Sequence, residues 1–449
     1  MKYGLWQRVF LVVFLCLLCL PFSGADELTL TLDDALIRAL EHNLSLKKNL
    51  IDLSSAEYSA NRLWSEIFPS ISGNVSAGYS SALFSGDGFV VNEQGRSLGA
   101  GLGITLGLNA GIPYAMRNIR LAYQSSLLKY EDARNQLAIQ ITKNFYGLIA
   151  ERNNLDYLVD ILNLAERQYE RNRVAFNNGL VGELAVMQSR LGVENARYNL
   201  SAANSAYVTR KGEFLASLGI MQDTQASLEV KEVKIEGKIE NIRIEADAEM
   251  LIREYLPKRP DIVSRHQEIT RLEHAEKQSA LSARAPSLSL SAEWSARDFD
   301  PFTDTVTGTA RVSIPIDPWI PGTGKNQTIR NAKLSVEKAM LDLKIAEDAA
   351  ITQIRSLAAN LRNSWDSVEI ARLSLGVAER SYELTEQGFR NGAVESLTLE
   401  DARNNLANAR QRLLQSELSY FNMTLDLSAA LNVDWKDLNT IPGVSGEKK

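Results

Sequence analysis

Residues 167–197 read RQYERNRVAFNNGLVGELAVMQSRLGVENAR, and residues 380–410 read RSYELTEQGFRNGAVESLTLEDARNNLANAR. Superposed at a spacing of 213 residues (380 minus 167), they share Arg167/Arg380, Tyr169/Tyr382, Phe176/Phe389, Asn178/Asn391, Gly179/Gly392, Leu184/Leu397, Arg190/Arg403 and Ala196/Ala409. Such agreement marks an internal duplication. Each copy carries a helix up to an Asn-Gly and restarts a helix within a few residues, because glycine accepts the left-handed conformation that closes a helix. The chain is therefore organised around one helical hairpin, present twice.

Working outward from the tips, no proline interrupts Tyr114 to Asn177 or Gln327 to Arg390. As helices these stretches would each be about 95 Å long, against a mean of about 11 residues for globular helices. In the second copy Leu343, Ala346, Ala350, Ile354, Leu357, Leu361, Trp365, Val368, Ala371, Leu375, Ala378 and Tyr382 recur about every 3.55 residues, the period of a coiled-coil seam. Past each tip a return helix is expected, Val181 to Leu218 and Val394 to Leu431, rich in Ala, Asn and Gln as well as Leu. Polar surface beside apolar seams suits helices that wall a water-filled tube, and equally a solvated rod.

Each long helix is preceded by a helix and two strands. Thr31 to Phe68 reads as one helix stopped by Pro69, and Ala246 to Ala285 as its counterpart stopped by Pro286. After each proline the period changes to two. Ile71, Val75, Ala77 and Tyr79 share one face of Ser70 to Tyr79, and Leu288, Leu290, Ala292 and Trp294 one face of Ser287 to Ser295. Polar loops (Ser80 to Arg96, Ala296 to Thr305) lead to returning strands. Leu98 to Ala110 is apolar at every even position, and Val306 to Ile316 alternates Val306, Ala310, Val312, Ile314 and Ile316 with Thr307, Thr309, Arg311 and Ser313. A single such hairpin would read as a soluble pair packed on helices. All four strands, however, approach the ~9 to 11 residues that cross a membrane at a tilt, with small, mostly uncharged polar faces. Four strands cannot close a barrel, since the smallest membrane barrels need about eight, so the barrel is expected to be shared between chains.

The remaining segments bound the function. Lys2 and Arg8, the apolar run Val9 to Phe22 and Ser23-Gly24-Ala25 predict a secretory segment over residues 1–25. Cys16 and Cys19 fall inside it, so the mature chain is expected to hold no disulfide or thiol chemistry. Removing Lys2 and Arg8 from the formal net charge of -6 gives -8, which disfavours nucleic acid as a partner. The chain divides into a first repeat (26–220), a linker with some strand character (221–246), a second repeat (247–433) and a loosely ordered tail (434–449). Catalytic signals are missing from the sequence. His42, His266 and His274 lack metal-ligand spacing, and no nucleophile motif is present. Gly322-Thr323-Gly324-Lys325 is followed by Asn326 where a phosphate loop needs Ser or Thr, so it reads as a turn feeding a helix. No enzyme, cofactor or metal site is expected.

The duplicated order of elements, the Asn43/Pro260-type ends of the first helices, the Phe68-Pro69-Ser70 and Ala285-Pro286-Ser287 junctions, the Ile-Pro turns and the paired Tyr-x6-Phe-x2-Gly tips resemble the TolC family of outer-membrane efflux and secretion channels. That resemblance covers nearly the whole mature chain. It implies a mainly α fold with membrane β: a long α-helical barrel, or coiled-coil tunnel, plus a twelve-stranded transmembrane β-barrel shared by a homotrimer, four strands per chain. It further implies location in the outer membrane with the tunnel in the periplasm. There the channel would conduct passively for a tripartite efflux or type I secretion system, through a periplasmic membrane-fusion adaptor and an inner-membrane pump. By the resemblance, Asn178, Gly179, Leu180, Asn391, Gly392 and Ala393 meet the adaptor, where family members commonly carry Val-Gly-Leu. Of two carboxylates that ring the family's constriction, the second falls on Asp401 and the first on Thr398, with Glu400 nearby on another helical face. Loss of contacts by tip residues such as Arg390 and Glu395 would open the tip. The alternative from another class is a non-conducting periplasmic coiled-coil scaffold, which shares every helical feature and lacks membrane strands.

Overall fold

A computed structural model describes residues 29–79, 96–220, 234–237, 241–297 and 303–447. The expected secretory segment with its two cysteines, the polar loop 80–95, most of the linker and residues 298–302 lie outside the described residues. The chain forms two compact units, one of residues 1–43 and 140–240 and one of residues 44–139 and 241–449.

In the first unit, α1 (Leu32–His42) opens with Thr31 as N-cap in a capping box with Asp34. The expected single helix to Phe68 is broken. Asn43 takes an extended conformation (φ -61°, ψ 124°) and donates from Nδ2 to the Ser217 carbonyl at 3.0 Å. The chain resumes as α2 (Leu44–Ala60) and a 3-10 turn (Leu63–Ile67), both in the second unit. Strand β1 (Thr29–Leu30) pairs in parallel with β4 (Lys234–Ile235), burying Leu30 and Ile235. The long helix α3 (Ile112–Asn177) belongs to this unit from residue 140 onward, and with its return α4 (Glu183–Ser217) it forms the first hairpin. Phe145 packs against Phe214 with tilted rings 6.3 Å apart, and nearer the tip Ala165, Val193 and Ala196 make a small buried cluster.

The second unit repeats the plan. The counterpart of the first helix is also broken, into α5 (Ala248–Tyr255), a 3-10 turn (Leu256–Lys258) and α6 (Pro260–Arg284). Pro260 forces the residue before it out of the helical region, and Arg259 is extended there (φ -63°, ψ 133°). Helix α7 (Gly324–Arg390) is capped by Thr323, which accepts from the Asn326 N–H, as a turn feeding a helix should be. Its return is α8 (Ser396–Leu431). The expected seam packs: Ala350, Ile354, Leu361, Trp365, Val368 and Ala371 are all buried on α7, and Ile354, Leu361, Trp365 and Val368 share a core cluster with Tyr420, Leu427 and Leu431 of α8.

The tail is more ordered than the sequence suggests. Leu438 is buried, Trp435 packs edge-on to Phe421 at 5.5 Å, and β8 (Val444–Glu447) pairs antiparallel with β5 (Arg243–Ala246). A buried tyrosine explains why β5 lies there. The Tyr420 hydroxyl donates to the Ile242 carbonyl at 2.7 Å and accepts from the Ile244 N–H at 2.8 Å.

Candidate functional site

The second unit carries a four-stranded antiparallel sheet in the order β2-β3-β6-β7, with β2 Ser70–Tyr79, β3 Arg96–Leu108, β6 Ser287–Arg297 and β7 Thr303–Ser313. Its register aligns the apolar positions of every strand. Ile71 faces Ile104, which faces Ala292; Leu102 faces Trp294, which faces Val306; Leu288 faces Val312. Since side chains alternate between faces, every apolar residue falls on one face, where Arg96 and Asp304 are the charged exceptions at the strand ends, and the other face is Ser, Thr, Asn and Gly with a few charges. The apolar face is bare in the single chain: Val75 is 83% and Val306 76% exposed. Burying such side chains is worth about 1.5–3 kcal/mol each, so a face left open to water would be strongly disfavoured. On the polar face, β3 runs Gly99, Gly101, Gly103. A Cβ on Gly101 would fall 2.6 Å from Asn74 Oδ1 and one on Gly99 2.9 Å from Ser76 Oγ, so glycine lets the polar side chains of β2 lie across β3. Among the described residues, the outer edges of β2 and β7 are unpaired.

At the hairpin tips, the two repeats adopt one conformation. Gly179 has φ 72° and Gly392 φ 74°. Each closes a Schellman motif: Leu180 N–H to the Ala175 carbonyl and Gly179 N–H to Phe176, then Ala393 N–H to Gly388 and Gly392 N–H to Phe389, at 2.8–3.0 Å. Asn178 and Asn391 are the last residues before each left-handed glycine. All six expected contact residues, Asn178, Gly179, Leu180, Asn391, Gly392 and Ala393, are exposed. The following helices restart at repeat-equivalent positions, with Gly182 and Glu395 as N-caps and no side-chain cap on either.

Beyond that backbone identity the tips differ. In the first, Asn172 Nδ2 donates to the Ala185 carbonyl across the hairpin at 3.2 Å, while Gln168 holds Asn172 and Arg171. In the second, the positions of Gln168, Arg171 and Asn172 are taken by Ser381, Leu384 and Thr385, and Val394 packs into the notch left by Gly388. Arg390 does not meet Glu395 within the chain. It pairs instead with Glu386, one turn back on its own helix, at 2.7 Å, which raises the guanidinium above its ordinary range. Neither the notch nor the polar cross-link carries a motif that could have been read beforehand.

Asp401 lies in the second turn of α8 and is exposed, on the same helical face as exposed Thr398; Glu400 points elsewhere and is half-buried. Among the described residues no cation lies within ion-pairing distance of the Asp401 carboxylate. The repeat-equivalent position in α4 is Gln188, so the acid belongs to one hairpin only. The histidines are dispersed: His266 Nδ1 lies 3.0 Å from the Ile262 carbonyl and His274 packs on Tyr114.

An amphipathic antiparallel sheet with an apolar face, and in each repeat a helix of about 100 Å, are the elements of an outer-membrane channel with a periplasmic helical tunnel. The chain belongs to the outer membrane efflux protein family, whose model matches residues 35–219 and 251–433, once on each repeat. Among solved structures it is similar to the CmeC outer membrane channel of Campylobacter jejuni (20% identity, TM-score 0.72, 89% of this chain and 85% of that one). It is also similar to the outer membrane protein VceC of Vibrio cholerae (15%, 0.69, 90% and 96%) and to the MtrE channel of Neisseria gonorrhoeae (16%, 0.68, 90% and 89%). No curated protein sequence matches it. The family and these structural relatives are channels rather than enzymes, and the scaffold alternative is not favoured.

Proposed function

We propose that three copies of this chain close a twelve-stranded barrel in the outer membrane, the β2 edge of one protomer pairing with the β7 edge of the next. The observation that carries this reading is the sheet: both edges are unpaired among the described residues while one face is apolar and bare. An unsatisfied backbone edge costs several kcal/mol per group in lipid, so a spanning sheet must close on itself, and four strands are too few. Strands of 10, 13, 11 and 11 residues are all long enough for the ~9 to 11 needed for a tilted crossing.

The hairpins of the three protomers would then wall a periplasmic tunnel. Its tips, Asn178-Gly179-Leu180 and Asn391-Gly392-Ala393, would meet a membrane-fusion adaptor coupled to an inner-membrane pump. Conduction is passive and the pump supplies the energy. Asp401 is the constriction residue of this reading: three copies around the axis form an acidic ring that draws cations, with Thr398 on its face and Glu400 beside it.

The test is planar-bilayer conductance of the detergent-purified protein, with its mass measured in the same preparation. Discrete conductance steps from a trimer support the channel. A monomer or soluble oligomer that never conducts, and that a salt wash releases from membranes, would overturn it.

A further inference from the structure

At the junctions between strands and helices, further large apolar side chains are exposed. Trp64 and Phe68, just before β2, touch edge to face at 5.2 Å, and both are exposed. Past the last residue of β7, Ile314 and Ile316 continue the strand's apolar alternation and are exposed, as is Trp319 in the 3-10 turn that follows (Asp317–Trp319). Arginines lie on aromatic rings in this zone. Arg62 Cζ is 3.5 Å from the ring centre of Tyr58, and Arg284 Cζ, at the end of α6, is 5.0 Å from that of Trp319. Arg284 Nε is buried and lacks a hydrogen-bond partner.

We infer that the Trp319–Arg284 junction binds the phosphodiester headgroup of an anionic phospholipid in the leaflet nearest the helices. Indole rings favour the boundary between hydrocarbon and water, and a guanidinium fork matches two phosphate oxygens. The Trp319 ring covers one face of Arg284 and its Nε is buried, so the two Nη groups are left for an acceptor. A lipid is favoured over free phosphate because exposed Ile314 and Ile316 carry the apolar alternation of β7 up to the turn that holds Trp319, and free phosphate has no use for apolar surface beside its site. The inference rests on the membrane placement of the sheet.

The experiment reconstitutes the whole protein in phosphatidylcholine vesicles containing acyl-brominated phosphatidylglycerol or acyl-brominated phosphatidylcholine. It follows tryptophan fluorescence, with Trp319→Phe identifying the Trp319 component. Half-quenching of that component is expected at about fivefold lower mole fraction of the brominated phosphatidylglycerol, the enrichment one basic residue gives near an anionic lipid. Arg284→Gln should make the two lipids equivalent, and Arg284→Lys should keep the preference. Equal half-quenching in the unsubstituted protein, or a preference that survives Arg284→Gln, overturns the site. Loss of the preference in millimolar inorganic phosphate reassigns it to free phosphate. Quenching of Trp294, on the apolar face of β6, without quenching of Trp319 would defeat this inference alone; quenching of neither would defeat the membrane placement beneath it.

Discussion

Arg410 reaches from α8 back to α7, where its Nη2 atom lies 3.4 Å from Glu379 Oε1. Exactly one repeat earlier in sequence, Arg197 reaches from α4 to Glu166 of α3 at 3.5 Å. Both pairs span 31 residues across a hairpin, and all four side chains are about half exposed. The duplication has thus kept a cross-hairpin contact as well as a backbone. Its energy should be small, since exposed pairs contribute about 0.2–1 kcal/mol and are screened by salt. A double-mutant cycle with Glu379→Gln and Arg410→Gln, read by denaturant midpoints, should give a coupling in that range that vanishes near 1 M salt. A salt-insensitive coupling would mean that the pair is desolvated in the assembled protein.

The tips should respond to glycine replacement in two distinct ways. Gly392→Ala puts a side chain on a left-handed residue with nothing within 4 Å, so the cost is conformational, about 1–2 kcal/mol, and Gly179→Ala should match it. Gly388 is helical, where alanine ordinarily gains up to about 1 kcal/mol. Its new Cβ, however, would lie 2.7 Å from Val394 Cγ2. Gly388→Ala should therefore loosen the tip, and Val394→Ala in the same chain should restore it. Hydrogen exchange at the Ala393 amide reads both effects, because that N–H donates to the Gly388 carbonyl.

The features legible in the sequence were those set by local periodicity. Proline-free runs gave the two long helices, alternation gave four strands whose observed register puts every apolar residue on one face, and Asn-Gly gave the turns. What was missed depends on residues far apart in the chain. Asn43 breaks the first helix while bonding to Ser217, 174 residues later. Val444 to Glu447 forms a strand because Arg243 to Ala246 lies alongside it, and no pattern in VSGE announces that. Arg390 could be seen as a tip cation, yet two acids were within reach and only packing selects Glu386.

Asp401 tests the pore reading at a single residue. Its carboxylate is exposed and, among the described residues, without an ion-pair partner, so Asp401→Asn should leave folding within about 0.5 kcal/mol of the parent. Three acids facing one axis would focus cations, and removing them should lower the cation-to-anion permeability ratio and relieve block by divalent ions. Gln188→Asp places the same charge at the equivalent position of α4. Reversal potentials under a salt gradient distinguish the outcomes, and an unchanged potential in Asp401→Asn would remove this residue from the constriction.

Tyr420 carries a pH dependence whose sign follows from its surroundings. Burial pushes the phenol up to about 12, opposed by the Ile244 N–H that its oxygen accepts. The unfolded chain releases the same proton near the ordinary tyrosine value of about 10. Below about pH 10 both states hold the proton and the tyrosine's stabilisation is complete. Between about 10 and 12 the unfolded state alone ionises, so stability falls as pH rises, by an amount on the order of 2 kcal/mol. Tyr420→Phe should lose this alkaline step. It should also cost about 1–3 kcal/mol at neutral pH, because the Ile244 N–H and Ile242 carbonyl lose their shared partner beside Trp365. Denaturant midpoints of the two proteins from pH 7 to 12 check both statements. Parallel curves through the alkaline range would place the titrating group elsewhere than on this staple between α8 and β5.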